Sequence, residues 1–225
     1  MFLRYLRPML MSLLALAMSF SVHAMPIFVD TFDAEVGSGD GQSGLSGKDY
    51  TAFAQWSVGF GTVDLVAQGD FGPIDCAQLS GKCVDLDGST ANAGVLTSIA
   101  IALLPGRYTL SYKLAGVAST FGSAAAMAPN VVNVSVGALA NDSHQLAFGD
   151  PFQLFTNTFD VAVPLSVSIA FADQGNDNFG AILDDVSLVA APSAVSVANS
   201  ASLLLMGLAC LGVRGLRARM RTTRA

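Results

Sequence analysis

Apolar residues alternate with small or polar ones at a period of two in several runs of this chain. Leu165, Val167, Ile169 and Phe171 alternate with Ser166, Ser168 and Ala170. Tyr108, Leu110, Tyr112 and Leu114 alternate with Thr109, Ser111 and Lys113, and Val132, Val134 and Val136 alternate with Asn133 and Ser135. Successive side chains of a strand point to opposite faces, so each run reads as a strand with one buried face. Further strands are expected at residues 27–32, 58–66, 83–86, 95–103, 152–163 and 181–189. Leu104-Pro105-Gly106-Arg107 reads as a tight turn that joins 95–103 to 107–115 as a hairpin. About nine short strands with no clear amphipathic helix predict an all-β sandwich.

The two ends of the chain are of another kind. Arg4 and Arg7 precede a nearly unbroken apolar run over residues 9–20, and Val22-His23-Ala24 follows with small residues where a signal peptidase reads. That layout predicts a secretory signal over residues 1–24, cut after Ala24. At the other end, residues 195–213 form a 19-residue weakly polar to apolar stretch, and Arg214, Arg217, Arg219, Arg221 and Arg224 crowd the last 12 positions. This is close to the ~20 residues that cross a bilayer core as a helix, with the arginines on the cytoplasmic side. A glycosylphosphatidylinositol signal would end apolar rather than basic. Between the ends lies a domain of residues 25–189; residues 190–202 form a linker, and 203–225 form the rest of the span and its basic tail.

Val189-Ala190-Ala191-Pro192-Ser193, an apolar helix and an arginine cluster together resemble the PEP-CTERM sorting tail of bacterial exosortase substrates. The usual Val-Pro-Glu-Pro-Ser is kept here at Val189, Pro192 and Ser193, whereas Ala190 and Ala191 replace Pro and Glu. The resemblance implies export across a Gram-negative inner membrane, a membrane anchor at the C-terminus and an exosortase as partner. The protein would then lie at the periplasmic face of that membrane, or at the cell surface after the tail is processed.

All 17 acidic residues fall within 25–189, against four basic ones, Lys48, Lys82, Arg107 and Lys113, so the domain carries about −13. Such a surface repels phosphates and excludes nucleic acid as a partner. Neutral sugars, cations or plain solubility remain compatible with it. Cys76 and Cys83 are the only cysteines of the domain; in an oxidising compartment they are expected to close a small loop as a disulfide.

The order of segments also resembles the galactose-binding-like jelly-roll modules of secreted proteins, including DUF642-like ones. The matching pieces are Phe32-Asp33, Trp56-Ser57-Val58, Val84-Asp85-Leu86-Asp87-Gly88-Ser89, Pro105-Gly106-Arg107-Tyr108 and the closing run from Asn178 to Leu188. The resemblance implies a jelly-roll β-sandwich and contact with carbohydrate or matrix. It also implies a structural Ca2+ with Asp33 and Asp184 as ligands. The residues alone leave Asp184 open: sharing a strand face with Val186 and Leu188, it would point inward and need either a cation or backbone N–H partners.

Asp173 to Asn178 form an acidic, amide-rich cluster in which Asp177 and Asn178 are candidates for sugar or cation contact, or simply make a turn. Tyr50 and Phe121 are the loop aromatics expected to be exposed as sugar platforms, whereas Trp56 reads as a packing residue. The stretches 37–47 and 117–129, rich in small residues, read as loops that could rim a binding face. Catalysis finds little support. His144 is the only histidine of the domain and no Gly-x-Ser-x-Gly elbow occurs in it. The expectation is an exported, non-catalytic envelope protein that contacts polysaccharide. The alternatives are an adhesive matrix protein without a defined ligand and a glycoside hydrolase using aspartates.

Overall fold

The computed structural model describes residues 26–72, 74–90, 92–117, 129–175 and 177–191. The chain begins with β1 (Pro26–Asp30), β2 (Trp56–Gly59), β3 (Asp64–Ala67), β4 (Lys82–Asp85), β5 (Val95–Ser98), β6 (Ile101–Leu103) and β7 (Gly106–Ala115). It continues through β8 (Asn130–Val136), β9 (Ala140–Leu146), β10 (Gln153–Val161), β11 (Leu165–Val167), β12 (Ile169–Asp173) and β13 (Ile182–Ala190). One sheet runs β10-β7-β13-β4-β3, with β1 also paired to β13; the second runs β2-β5-β12-β8-β9; β11 and β6 form a small third pair. The strand pairs are antiparallel.

The two large sheets pack face to face. Leu110, Tyr112, Leu114, Leu183, Val186 and Leu188 of the first meet Leu96, Val134, Ile169 and Phe171 of the second in one buried cluster. Tyr112 and Phe171 touch edge to face across the layers, with ring centroids 5.1 Å apart. The inward residues of β7 and β8 are those that the alternation marks.

Several strands are shorter than the sequence implies. The run 58–66 breaks at Phe60, whose φ of +64° cannot continue an extended strand. The run 95–103 breaks after Ser98, whose hydroxyl accepts the N–H of Ile169, and the chain then leaves β12 to pair with β11. The expected hairpin across Pro105-Gly106 does not form: β6 pairs with β11, while β7 pairs with β10 and β13. That corner carries the chain between sheets, and the Tyr108 hydroxyl clasps it by donating to the Leu104 carbonyl at 2.7 Å and accepting its N–H at 3.1 Å. Strand β9 went unread because Asn141, Asp142, Ser143, His144 and Gln145 lack strand propensity. It is held as a sheet edge by seven register pairs with β8.

The signal region with Ala24, the sorting motif at Pro192 and Ser193, the apolar tail and Phe121 lie outside the described residues. Among the described residues no helix is long and apolar enough to cross a membrane.

Candidate functional site

Three connections between strands meet at one end of the sandwich: β2–β3, β4–β5 and β12–β13. The first is Phe60-Gly61-Thr62-Val63. It is strapped to the second by main-chain bonds, Thr62 N–H to Asn92 O at 2.9 Å and the N–H groups of Gly88 and Gly94 to Thr62 O. The Asn92 side-chain amide donates to the Phe60 carbonyl at 3.1 Å, and the Thr62 and Thr90 hydroxyls lie 2.6 Å apart. Gly61 permits this approach: a Cβ there would collide with the carbonyl oxygens of Asn92 and Ala93. The result is an aromatic residue, Phe60, that is 92% exposed and fixed in a left-handed backbone conformation. Sequence reasoning missed it, because Gly59-Phe60-Gly61 sits inside what reads as a continuous strand. The flanking glycines were the available signal.

The described residues of the third connection, 174–175 and 177–181, hang from buried carboxylates. Asp87 Oδ2 accepts the N–H groups of Asp177 at 2.9 Å and Asn178 at 3.1 Å. Asp85 Oδ1 accepts those of Asp87 and Gly180, both at 3.0 Å. Asp173 accepts Gly175 and Ala181. On the neighbouring strand Asp64 accepts the N–H of Asp49 at 2.7 Å and the hydroxyl of Ser89 at 2.7 Å. Burial pushes the carboxyls of Asp64, Asp85, Asp87 and Asp173 above their ordinary range, and charge from one another adds to the effect at Asp85 and Asp173. These carboxyls therefore hold loops rather than face an open cleft, which is not how a glycosidase disposes its pair. The side chains of Asp177 and Asn178 are exposed at this end, and Asn178 adopts φ +66°.

Tyr50 is not the exposed platform expected of it. It is 5% exposed, packs edge to face on Phe53 at 4.6 Å, and donates its hydroxyl to the Val36 carbonyl at 2.8 Å. Its neighbouring stretch 37–47 is no loose rim either. The Asp70 carboxylate accepts the Ser43 and Ser46 hydroxyls, each at 2.6 Å, and Gly47 pairs with Leu65. Trp56 is a core residue whose indole N–H reaches Asp30 at 2.8 Å.

Cys76 and Cys83 form a disulfide with Cα atoms 5.4 Å apart. Their loop covers the outer face of the first sheet, where Cys76, Cys83, Val66, Val117 and Ile182 make a second small core. Asp184 belongs to that side. A bulge in β13 with Asp185 at φ +51° shifts the phase, so Leu183, Val186 and Leu188 point to the main core while Asp184 faces the disulfide loop. Asp184 Oδ2 accepts the Ala77 N–H at 2.9 Å and Oδ1 the Asp185 N–H at 2.7 Å. Burial raises its carboxyl to about 7, with Asp185 and Asp33 contributing. Asp33 accepts the Lys82 N–H at 2.8 Å and the Thr31 hydroxyl at 3.1 Å, and the Lys82 ammonium lies on its carbonyl at 2.9 Å. All four carboxylate oxygens of Asp33 and Asp184 thus have protein donors, and the positive charge beside Asp33 is that of Lys82.

Among the described residues no three His, Cys, Asp or Glu side chains are gathered as a metal-binding group. His144 is turned inward: its Nε2 is 2.6 Å from the Tyr112 hydroxyl, and its ring lies against Phe155.

No protein-family model and no curated protein matches the chain. Solved structures that match the chain include the carbohydrate-binding and xylanase modules of Clostridium thermocellum endo-1,4-beta-D-xylanase 10B complexed with xylohexaose. That match has 11% identity and a TM-score of 0.46, and it covers 77% of this chain and 30% of that one. The xylan-binding CBM22-1 domain of a Paenibacillus barcinonensis xylanase matches at 14% identity and a TM-score of 0.44, over 71% of this chain and 100% of that one. The K3 cleaved adhesin domain of Lys-gingipain from Porphyromonas gingivalis matches at 16% identity and a TM-score of 0.45, over 75% and 100%. The chain spans under a third of the xylanase, and at these scores the functional reading rests on this chain's own geometry.

Proposed function

We propose that this chain is an exported, envelope-associated and non-catalytic protein whose jelly-roll sandwich contacts polysaccharide through the end that presents Phe60. The observation that carries the reading is Phe60 itself. An exposed phenyl ring forgoes burial, and a non-glycine residue in the left-handed region carries strain of about 1–3 kcal/mol. Both costs fall on one residue, held in place by contacts from the β4–β5 connection. A flat apolar ring beside hydroxyls and amides suits a sugar, whose C–H face can stack while its hydroxyls find partners. Thr62, Thr90, Asn92, Asp177 and Asn178 supply such groups at the same end of the sandwich. The buried acids beneath, Asp64, Asp85, Asp87 and Asp173, each accept backbone N–H groups of the surrounding loops, which supports a loop-holding role over a hydrolytic one.

Export by a signal peptidase acting after Ala24, retention by the apolar tail and recognition by an exosortase at Pro192-Ser193 belong to the same proposal. They are tested by sequencing the N-terminus and weighing the C-terminus of the protein recovered from host cells. Sugar contact is tested by affinity electrophoresis of the exported chain in mild detergent, through gels containing host exopolysaccharide, xylan or a β-1,3-glucan. Retardation by at least one polymer, lost in Phe60→Ala, is expected. Equal mobility in every gel would remove the sugar reading and leave an adhesive matrix role.

A further inference from the structure

The acids beneath the Phe60 end have a charge problem that the described side chains do not solve. Asp64 and Asp85 are register partners on β3 and β4, Asp87 follows two residues later, and Asp173 closes β12. All four are 6% exposed or less. The domain's four basic side chains are engaged elsewhere: Lys82 on Asp33, Lys113 on Asp185, Arg107 on Asp160, and Lys48 over the Phe71 ring. An ionised carboxylate taken out of water without a countercharge is costly.

A second observation singles out one atom. Asp87 is 1% exposed; its Oδ2 is occupied by Asp177 and Asn178, but its Oδ1 is buried with no hydrogen-bond donor. It is the only buried side-chain nitrogen or oxygen so placed among the described residues. Native proteins rarely leave such an atom bare. Asp85, two residues away, uses Oδ1 for both of its N–H bonds. Glycines bring main chain close on this side: a Cβ on Gly175 would press on Asp87 Oδ2, and one on Gly180 would strike the Asp85 carboxylate.

We propose that a hard divalent cation of the Ca2+ class binds at Asp87 Oδ1 and the Asp85 carboxylate, between the β4–β5 and β12–β13 connections. Two side-chain carboxylates, with main-chain oxygens and water completing the shell, suit Ca2+, which takes six to eight oxygens and tolerates irregular geometry. Mg2+ demands a stricter octahedron and gives up its water reluctantly. The ion would neutralise these carboxylates and pin residues 177–181 against the loop that straps Phe60. This places the cation at the Asp85 end of β4, whereas Asp33 lies at its Lys82 end.

The test uses the exported full chain in mild detergent, stripped with chelator and dialysed against Ca2+ or Mg2+ at pH 7.5. Metal content and melting temperature are the readouts, so sugar binding plays no part in the result. The expected outcome is one bound Ca2+ and a rise in melting temperature of about 5 °C or more. Both should be lost in Asp87→Asn and Asp85→Asn and kept in the Asp33→Asn, Asp184→Asn double variant. If neither cluster variant folds, that double variant decides alone: a retained equivalent of Ca2+ upholds the assignment. No Ca2+ on the wild-type chain, or Ca2+ lost in the double variant, overturns it.

Discussion

The Asn92 side-chain amide donates to the main-chain carbonyl of Phe60 at 3.1 Å, tying the most exposed aromatic among the described residues to the connection between β4 and β5. The bond holds a backbone conformation that phenylalanine disfavours and glycine does not. Phe60→Gly is therefore expected to stabilise the domain by about 1 kcal/mol, because φ +64° carries no Cβ penalty there. Chemical denaturation checks the sign. Phe60→Ala, which keeps the strain and loses only an exposed ring, should shift the midpoint little.

Asp184 predicts a pH dependence of known sign. Its folded-state value of about 7 stands above the ordinary carboxylate value of 3.8. The folded state holds its proton more tightly than the unfolded state between those values, so its contribution to stability falls as pH rises from about 4 to about 7. Asp184→Asn removes the titration. The melting-temperature difference, variant minus wild type, should therefore be larger at pH 8 than at pH 4.

His144 acts with the opposite sign. Burial against Tyr112 and Phe155 lowers its value below the ordinary 6.5, although Asp142 nearby opposes the shift. The stability it contributes is present above 6.5 and is lost as pH falls toward its folded value. Replacing it in His144→Gln should flatten that part of the melting profile between pH 7 and pH 5.

Reduction of the disulfide, or the Cys76→Ser, Cys83→Ser double variant, should cost about 2 kcal/mol, as expected for closing a short loop. Loosening that loop also frees the Ala77 N–H from Asp184. The loss should therefore be greater at pH 8, where Asp184 is ionised, than at pH 5.

The alternation of Tyr108 to Leu114 and Val132 to Val136 carried the two-sheet core directly, because each position's face depends only on local sequence. Pairing was not local. Pro105-Gly106 reads as a hairpin turn in any strand-rich chain, yet here Leu103 pairs with Leu165 and Arg107 with Asp160, which no neighbouring residue encodes. The phase of Asp184 was lost for a related reason: one extra residue, Asp185, flips the alternation, and only the paired strand β7 reveals it. Tyr50 looked exposed because its segment is polar and glycine-rich. Its burial comes from Phe53 and from the Val36 carbonyl, a contact 14 residues away. Asp85 and Asp87 were visible as a motif, but their approach to Asp64 and Asp173 arises only when β3, β4 and β12 come together.

Sugar contact through Phe60 is open to calorimetric titration of the exported chain with host exopolysaccharide. Saturable heat is expected for the wild-type chain and none for Phe60→Ala, with both proteins melting at the same temperature. Equal binding by the two chains, or none by either, would contradict it.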